Sequence, residues 1–499
     1  MHIRTAIIAG TALIQTAVAV SVQAKSVIYI VPDGYGPASQ NMARDLASLV
    51  DSGTTGSNPQ IHELPVDDLA IGRVRTHSAN SMITDSAASG TAFATGHKSY
   101  NGAISVTPDG QPVGSILEAA KLGGLKTGLV STTYISDATP GVYAAHTANR
   151  GAMPLIAEQQ LGYSHPLGPM VDVLLGGGRC NFSPNSTEGS CRTDDFDLLT
   201  YAKEQGFTVA TNRKEFNDLK KGLGRAELPL LGLFSDGNMR YEMDRRVIQD
   251  EPSLLEMAQT AVNALHRATR RRNKGFFLMI EAARIDHAGH DSDPANHAVE
   301  TIMYNDIVAW VRDWIDHNPD TIMLSAADHE TGGLTLNGYD PLPLRNATHS
   351  RAYLQSIWDN NRPADADERE FLVSEILPAY GLQHASDAEI QAILDASSIG
   401  AGIAALLSSR AGVDWSTGGH TSVDVTLHGY AAGRKRRALQ ADLAGGWDNT
   451  ELPRYIEAVL DLDMDAVTKR LVKAAEKDSS WLGPRDLVTR DLADHDHYH

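Results

Sequence analysis

The stretch S-V-I-Y-I-V-P-D, Ser26 to Asp33, decides the reading of the fold. It is an unbroken apolar run, rich in β-branched residues, that stops on an acid. A strand that is apolar on both of its faces belongs inside a parallel sheet covered on both sides. Two further runs have the same form: G-F-F-L-M-I stops at Glu281 and D-T-I-M-L-S-A-A stops at Asp328. A fourth, G-L-K-T-G-L-V-S-T-T-Y-I, leads to Asp137. Helical patterns alternate with these runs, as around Val113 to Leu122 and Leu254 to Arg267. Alternation of this kind predicts an α/β protein of three layers, α/β/α, with a large, mostly parallel central sheet. Ligands of such sheets bind beyond the carboxyl ends of the strands. The four acids therefore read as one site gathered from distant parts of the chain.

The 499 residues suffice for one large α/β domain with an insertion, or for two domains. The net charge of −19 argues against general nucleic-acid binding through phosphate neutralisation. It also means that an anion site here needs local positive charge, from metal ions and an arginine. Residues 1–24 read as a secretory signal: His2 and Arg4, an apolar core, then V-Q-A before Lys25. A retained anchor is the alternative. The expectation is an exported mature chain of residues 25–499, periplasmic or extracellular, with no stable membrane insertion after signal removal. In an oxidising compartment Cys180 and Cys191 would close a small loop. N-x-S/T sequons stand at Asn181, Asn185 and Asn346. Residues from about 337 to 416 change character, with P-L-P-L, a polar helix-like segment from Arg362 to Glu375, and an alanine-rich stretch from Ile390 to Leu407. We read this region as an inserted, crown-like subdomain; further core helices are the alternative. The terminal D-H-D-H-Y-H reads as a polar tail.

Chemistry concentrates in four places. T-D-S-A-A-S-G-T-A-F-A-T-G, Thr84 to Gly96, sets Ser86 beside Asp85 at the head of a segment of small residues. If that segment is a helix, its free N–H groups and positive dipole end face whatever binds beside Ser86, which suits attack on a phosphate. In I-E-A-A-R-I-D-H-A-G-H, Asp286 and His290 are four apart and share one helix face, a common half-site for zinc. His287 and His297 compete for that role, and an i, i+4 surface ion pair gives the same spacing. In A-A-D-H-E-T-G-G, Asp328 and His329 can reach one ion only where the backbone turns, as T-G-G implies. A second glycine loop, S-T-G-G-H-T, presents His420.

Together these pieces resemble the alkaline phosphatase family of metal-dependent phosphomonoesterases. The matching segments are V-P-D-G at Asp33, D-S-A-A-S at Ser86, I-S-D-A-T-P from Ile135, Arg150, E-A-A-R-I-D-H-A-G-H, A-A-D-H-E-T-G-G and T-G-G-H-T-S-V-D-V. They occur in the family's order over nearly all of the mature chain. The resemblance implies one zinc on Asp286, His290 and His420, and a second on Asp33, Asp328 and His329 with Ser86. It implies a magnesium on Asp33, Thr139 and Glu281, with Asp137 nearby, and Arg150 on the phosphate oxygens. Asp85 and His287 would stand just outside the ligands, where relatives vary between lysine and histidine at the latter position. The implied reaction is hydrolysis of phosphate monoesters through a phosphoserine at Ser86, and family members are commonly homodimers although monomers exist.

Two other readings compete: another enzyme on the same scaffold, a phosphodiesterase, sulfatase or phosphomutase, and a metal binder without catalysis. A sulfatase needs a C/S-x-P-x-R context that S-A-A-S lacks, and diesterase relatives usually have a threonine nucleophile and lack the set of Thr139 and Glu281. An exported metal-binding protein without catalysis could have identical ligands, but leaves Ser86 beside Asp85 and the placement of Arg150 unexplained.

Overall fold

The computed structural model describes residues 20–53, 60–224, 226–363 and 368–483. Most of the expected signal segment and the histidine-rich tail lie outside the described residues. The strands are β1 (Ser26–Pro32), β2 (Ala70–Arg75), β3 (Lys126–Tyr134), β4 (Val173–Gly177), β5 (Thr208–Ala210), β6 (Leu230–Leu233), β7 (Phe276–Ala282) and β8 (Thr321–Ser325). Four short ones follow, β9 (Glu330–Thr331), β10 (Leu334–Leu336), β11 (Val413–Trp415) and β12 (His420–Thr421), and then β13 (Val425–Ala431) and β14 (Gly445–Asp448). Ten of them form one sheet in the order β14-β2-β13-β8-β1-β7-β3-β4-β6-β5. Only β13 runs against its neighbours in that sheet.

The expected central run is indeed β1, with every residue buried. Burial of alternate side chains to either side means that helices cover both sheet faces. The helices Leu254–Arg270 and Ile116–Leu122 both pack on β3 and β7. The pattern was apolar because both faces are core, which is also why it could be read so directly. Register then gathers the acids: Val31 pairs with Glu281, Ser131 with Glu281, and Ile30 with Ser325. Asp33, Glu281 and the chain leading to Asp328 thus meet at the carboxyl edge.

Residues 337–416 hold the helices Arg351–Asn361, Asp387–Leu394 and Ile399–Ala411. The expected single helix-like segment from Arg362 to Glu375 is instead divided: Glu368–Phe371 is α-helical and Leu372–Ile376 is a π-helical turn. Leu354, Trp358, Tyr380, Ile403 and Leu407 build a second apolar cluster, onto which Met42, Leu46 and Met243 also pack. Polar contacts tie this region to the sheet domain. The Tyr380 hydroxyl donates to Asp293 at 2.6 Å and the Ser350 hydroxyl to Asp244 at 2.6 Å.

Cys180 and Cys191 form a disulfide with a Cα–Cα distance of 4.9 Å. Asn181 beside it is buried, its amide donating to Ser136 at 3.0 Å. Among the described residues no helix is long and apolar enough to cross a membrane.

Candidate metal centre

Ser86 is the first residue of the helix Ser86–Thr95, all of which is buried. Asp85 caps it: one carboxylate oxygen accepts from the Ala88 N–H and the other from the Gly102 N–H, both at 2.8 Å. Ala, Ser and Gly are needed in this helix because it lies tight against its neighbours. A Cβ on Gly90 would stand 3.1 Å from Val142. The result is a serine held at a helix N-terminus, with its Oγ 3.1 Å from Nε2 of His329.

Two carboxylate–imidazole triads flank that serine. Asp286, His290 and His420 form one, and Asp33, Asp328 and His329 the other. In the first, Nε2 of His290 is 3.1 Å from Nε2 of His420 and 3.3 Å from Asp286 Oδ2. These are ligand-to-ligand spacings of a tetrahedral zinc site, about 3.3 Å for bonds near 2 Å. Their protonation pattern agrees. Nδ1 of His290 faces the Gly418 carbonyl at 2.6 Å, and Nδ1 of His420 faces the Thr84 carbonyl at 2.9 Å. Each Nδ1 therefore carries the hydrogen, and two Nε2 lone pairs point at one another. A divalent cation fits between lone pairs so arranged. In the second triad, His329 Nε2 lies 3.2 Å from Asp328 Oδ2 and 3.6 Å from Asp33 Oδ1.

A third, all-oxygen group adjoins the second triad. Glu281 is buried at the end of β7 and hydrogen-bonds Thr139, which lies in the turn of helix Ala138–Gly141 that Asp137 caps. Arg150 spans two carboxylates, with Nη1 3.3 Å from Asp85 and Nη2 3.2 Å from Asp137. Its planar fork is thereby oriented beside Ser86. Burial opposes its charge, but Asp137 and then Asp85 outweigh burial and keep it protonated.

The charges explain why cations suit this pocket. Burial and then the neighbouring Asp328, Asp286 and Glu281 push Asp33 well above the usual carboxylate range. Burial, chiefly, raises Glu281 to about 8 and Asp328 to about 6. Asp286 is the exception: burial would raise it, and His290, His420 and His329 together hold it far down. Carboxylates crowded until they repel their own ionisation are a site that positive charge relieves.

Every residue expected in the two triads is in them. His287 and His297, the competing histidines, are not members. His297 is buried, with Nε2 2.8 Å from the Ser39 hydroxyl and its ring edge-on to Trp415. Gly34 lets the loops carrying these ligands touch, since a Cβ there would meet the Asp286 Cα at 2.5 Å and its φ is +73°.

Two residues escaped the sequence reading. Thr331, fully buried, donates from its hydroxyl to Asp286 Oδ1 and lies 3.3 Å from Nδ1 of His329. Its oxygen can accept from that ring, which leaves Nε2 of His329 as the free lone pair. Its strand pairs with His420, and its N–H donates to the Gly34 carbonyl at 3.1 Å. Ser131 donates to Glu281 Oε2 at 2.5 Å and is itself 2.9 Å from the Thr133 hydroxyl. The only available signal was a pair of hydroxyl residues inside otherwise apolar or glycine-rich runs.

A third carboxylate–imidazole group, Glu118, His146 and His165, lies buried elsewhere. Glu118 Oε1 is 3.0 Å from Nε2 of His146 and 2.8 Å from Nε2 of His165. Nδ1 of His146 faces the Ser105 carbonyl at 3.0 Å, so both of its nitrogens donate. Nδ1 of His165 accepts from the Leu167 N–H, so its Nε2 carries the hydrogen. No lone pairs converge, and this group is a closed charge network.

Comparison with known proteins places these observations in a family. The family profile described as Alkaline phosphatase matches residues 24–462. Alkaline phosphatase of Schizosaccharomyces pombe is 39% identical over 466 residues, covering 90% of this chain and 84% of its own. The crystal structure of Thermus thermophilus alkaline phosphatase superposes with a TM-score of 0.76 at 26% identity, covering 94% of this chain and all of its own. A histidine-to-aspartate variant of the alkaline phosphatase from the Antarctic bacterium TAB5, with Mg bound in its M3 site, superposes with a TM-score of 0.61. It is 25% identical and covers 89% of this chain and 99% of its own.

Proposed function

The chain belongs to the alkaline phosphatase family, and from that premise we propose that Ser86 is the nucleophile of its phosphate-monoester hydrolysis. The activity itself is that of an alkaline phosphatase, with metal-binding clusters of the kind that activity requires. The observation that carries the assignment is the position of Ser86 Oγ, 3.1 Å from His329 Nε2 at a helix N-terminus between two ligand triads.

The residues fit three ions: zinc on Asp286, His290 and His420, zinc on Asp33, Asp328 and His329 with Ser86, and magnesium on Asp33, Thr139 and Glu281. Imidazole-bearing sets suit zinc and oxygen-only sets suit magnesium. When bound, such ions lower the pKa of a hydroxyl or water and neutralise charge on the phosphate and the leaving oxygen. Arg150 grips two non-bridging oxygens and aligns the phosphorus with Ser86. The Oγ–P bond forms as the bond to the alcohol breaks, leaving a phosphoserine. Water then attacks phosphorus from the opposite side, freeing Ser86 and inorganic phosphate. Asp85 and Asp137 hold the Arg150 fork throughout, and the Asp137 carboxylate beside Thr139 supports the oxygen-only set. His287, in place of a lysine, would leave phosphate less tightly held. Unchanged phosphate inhibition on His287→Lys would refute that.

The same reading covers the chain's organisation. Residues 1–24 act as an export signal, the mature chain of residues 25–499 works in the periplasm or outside the cell, and residues 337–416 are an inserted unit. The disulfide supports export, and the second apolar cluster supports the inserted unit. A homodimer is the assembly the family favours, and sedimentation reads it directly.

The deciding experiment is hydrolysis of p-nitrophenyl phosphate at alkaline pH, before and after chelation, with zinc and magnesium restored separately. Activity that returns fully only with both ions is expected. Ser86→Ala should abolish turnover with metal content preserved; retained turnover would remove Ser86 from the role.

A further inference from the structure

The end of the sheet opposite the metal centre is basic, in a chain of net charge −19. β1, β7 and β8 all begin there, at Ser26, Phe276 and Thr321, and their ligand-bearing ends lie roughly 20 Å away at about 3.3 Å per residue. Lys25 stands at this edge, its backbone N–H donating to the Asp320 carbonyl at 2.7 Å and its ammonium to Asn273 at 2.7 Å. The helix ending at Arg270 runs into Arg271, Arg272 and Lys274, all exposed. Lys435 reaches Asp320 at 3.3 Å from the other side, and Arg434 and Arg437 flank it, exposed. The acids on this side are Asp320, bracketed by Lys25 and Lys435, Asp68, which Arg436 reaches at 2.9 Å, and Asp442 in the helix Arg434–Leu443; the exposed cations outnumber them. A cleft of about 260 Å³ opens within the patch, lined by Lys25, Arg270, Lys274 and His317, with Asp320 as its acid.

We propose that this face docks peripherally on an anionic lipid surface, leaving the metal centre on the far side and open to dissolved phosphate esters. Charge does the binding, since each cation near such a surface contributes roughly a fivefold gain in affinity. The overall negative charge then orients the molecule, because every other approach to the surface is repelled.

The test is co-sedimentation of the mature chain, residues 25–499, with vesicles of phosphatidylcholine, with and without phosphatidylglycerol. Binding should need phosphatidylglycerol and should vanish at high salt, as the screening length falls from about 30 Å at 0.01 M to about 3 Å at 1 M. Combined Arg271→Glu, Arg272→Glu, Lys274→Glu and Arg437→Glu should lower the affinity at least a hundredfold, with p-nitrophenyl phosphate turnover unchanged. A milder set with glutamine at the same positions should lower it less. Equal binding to both vesicles, no binding at low salt, or full binding by the reversed variant would overturn the proposal. So would displacement by millimolar inorganic phosphate, which would make the cleft a site for a free anion, or capture by heparin without capture by vesicles.

Discussion

Two buried groups in this molecule are built from the same side chains and do different work. Asp286, His290 and His420 present two imidazole lone pairs to one point. Glu118, His146 and His165 present hydrogens, all directed at one carboxylate. Carbonyls stand behind Nδ1 of His290, His420 and His146 alike and an N–H behind that of His165, so the difference lies in where Nε2 points: at the other imidazole in the first group, at Glu118 in the second. Where two Nε2 atoms converge beside one carboxylate, a triad fits a cation. Where a backbone N–H or an internal carboxylate completes each ring's bonding, the triad is an ion pair buried for structure.

The largest predicted effect breaks the metal side of this comparison. Asp328→Asn removes one of the crowded carboxylates, and kcat/KM should fall more than a thousandfold. Bound zinc, read by atomic emission, should fall with it. The metal-free variant should be no less stable than the metal-free parent, because burial and then Asp286 disfavoured the lost charge. A metal-free variant that is clearly weaker would show the carboxylate to be structural.

Glu118→Gln probes the other side. It leaves an imidazolium buried without its counter-charge, which typically costs about 3–5 kcal/mol, read by urea denaturation with zinc content unchanged. The pH dependence has a definite sign. Burial would raise Glu118, but His146 and His165 hold it far below its usual value; burial would lower His146, but Glu118 raises it. The Glu118 contribution is present above its unfolded pKa and lost as pH falls through the lowered one. The His146 contribution is present below its unfolded pKa and lost as pH rises through the raised one. The gap between parent and variant should therefore be widest near neutral pH and narrow on the alkaline side. A gap that widens there would contradict the charged pair.

How much of this could be read beforehand follows from where the information sits. β1 announced itself because both of its faces are buried, so its composition needed no partner to interpret. The triad ligands were legible through ordered motifs, each an acid or histidine at a strand end or glycine loop. Glu118 was not legible: in I-L-E-A-A-K-L it reads as the polar position of a surface helix, yet it caps that helix through Ser115 and is fully buried. His146 and His165 sit in loops, and nothing local says that both loops close over one carboxylate. The π-helical turn at Leu372–Ile376 was likewise invisible, since its extra residue leaves the polar pattern of the segment intact.

Thr331 sharpens the comparison, because it connects the two metal triads that the nucleophile lies between. Its hydroxyl donates to Asp286 and can accept from His329, so it fixes the orientation of one ligand and the tautomer of another. Thr331→Val keeps the shape and removes both bonds. Zinc affinity, measured by competition with a chelator dye, should fall roughly 10- to 100-fold, and Thr331→Ser should restore most of it. Equal loss in both variants would mean that the methyl group, packed near Gly289, matters and the hydroxyl does not.

The smallest effect is the most selective. Ser131 touches Glu281 alone among the proposed ligands, from the adjacent strand at the same register position. Thr133 donates its N–H to the Ser131 hydroxyl at 3.0 Å, so the serine's own hydrogen is left for the carboxylate. Ser131→Ala frees Glu281 to turn away from the oxygen-only set without touching either imidazole triad. Magnesium affinity should drop about tenfold while zinc content and the zinc-only activity stay as they were. Burial and the neighbouring Asp137 and Asp328 work against the charge of Glu281, and the Ser131 and Thr139 hydroxyls work for it, so Ser131 helps to aim the carboxylate that a cation then ionises. A Ser131→Ala variant that lost zinc as readily as magnesium would show that the three sets are one cooperative site, and that the hydrogen bond serves all of it.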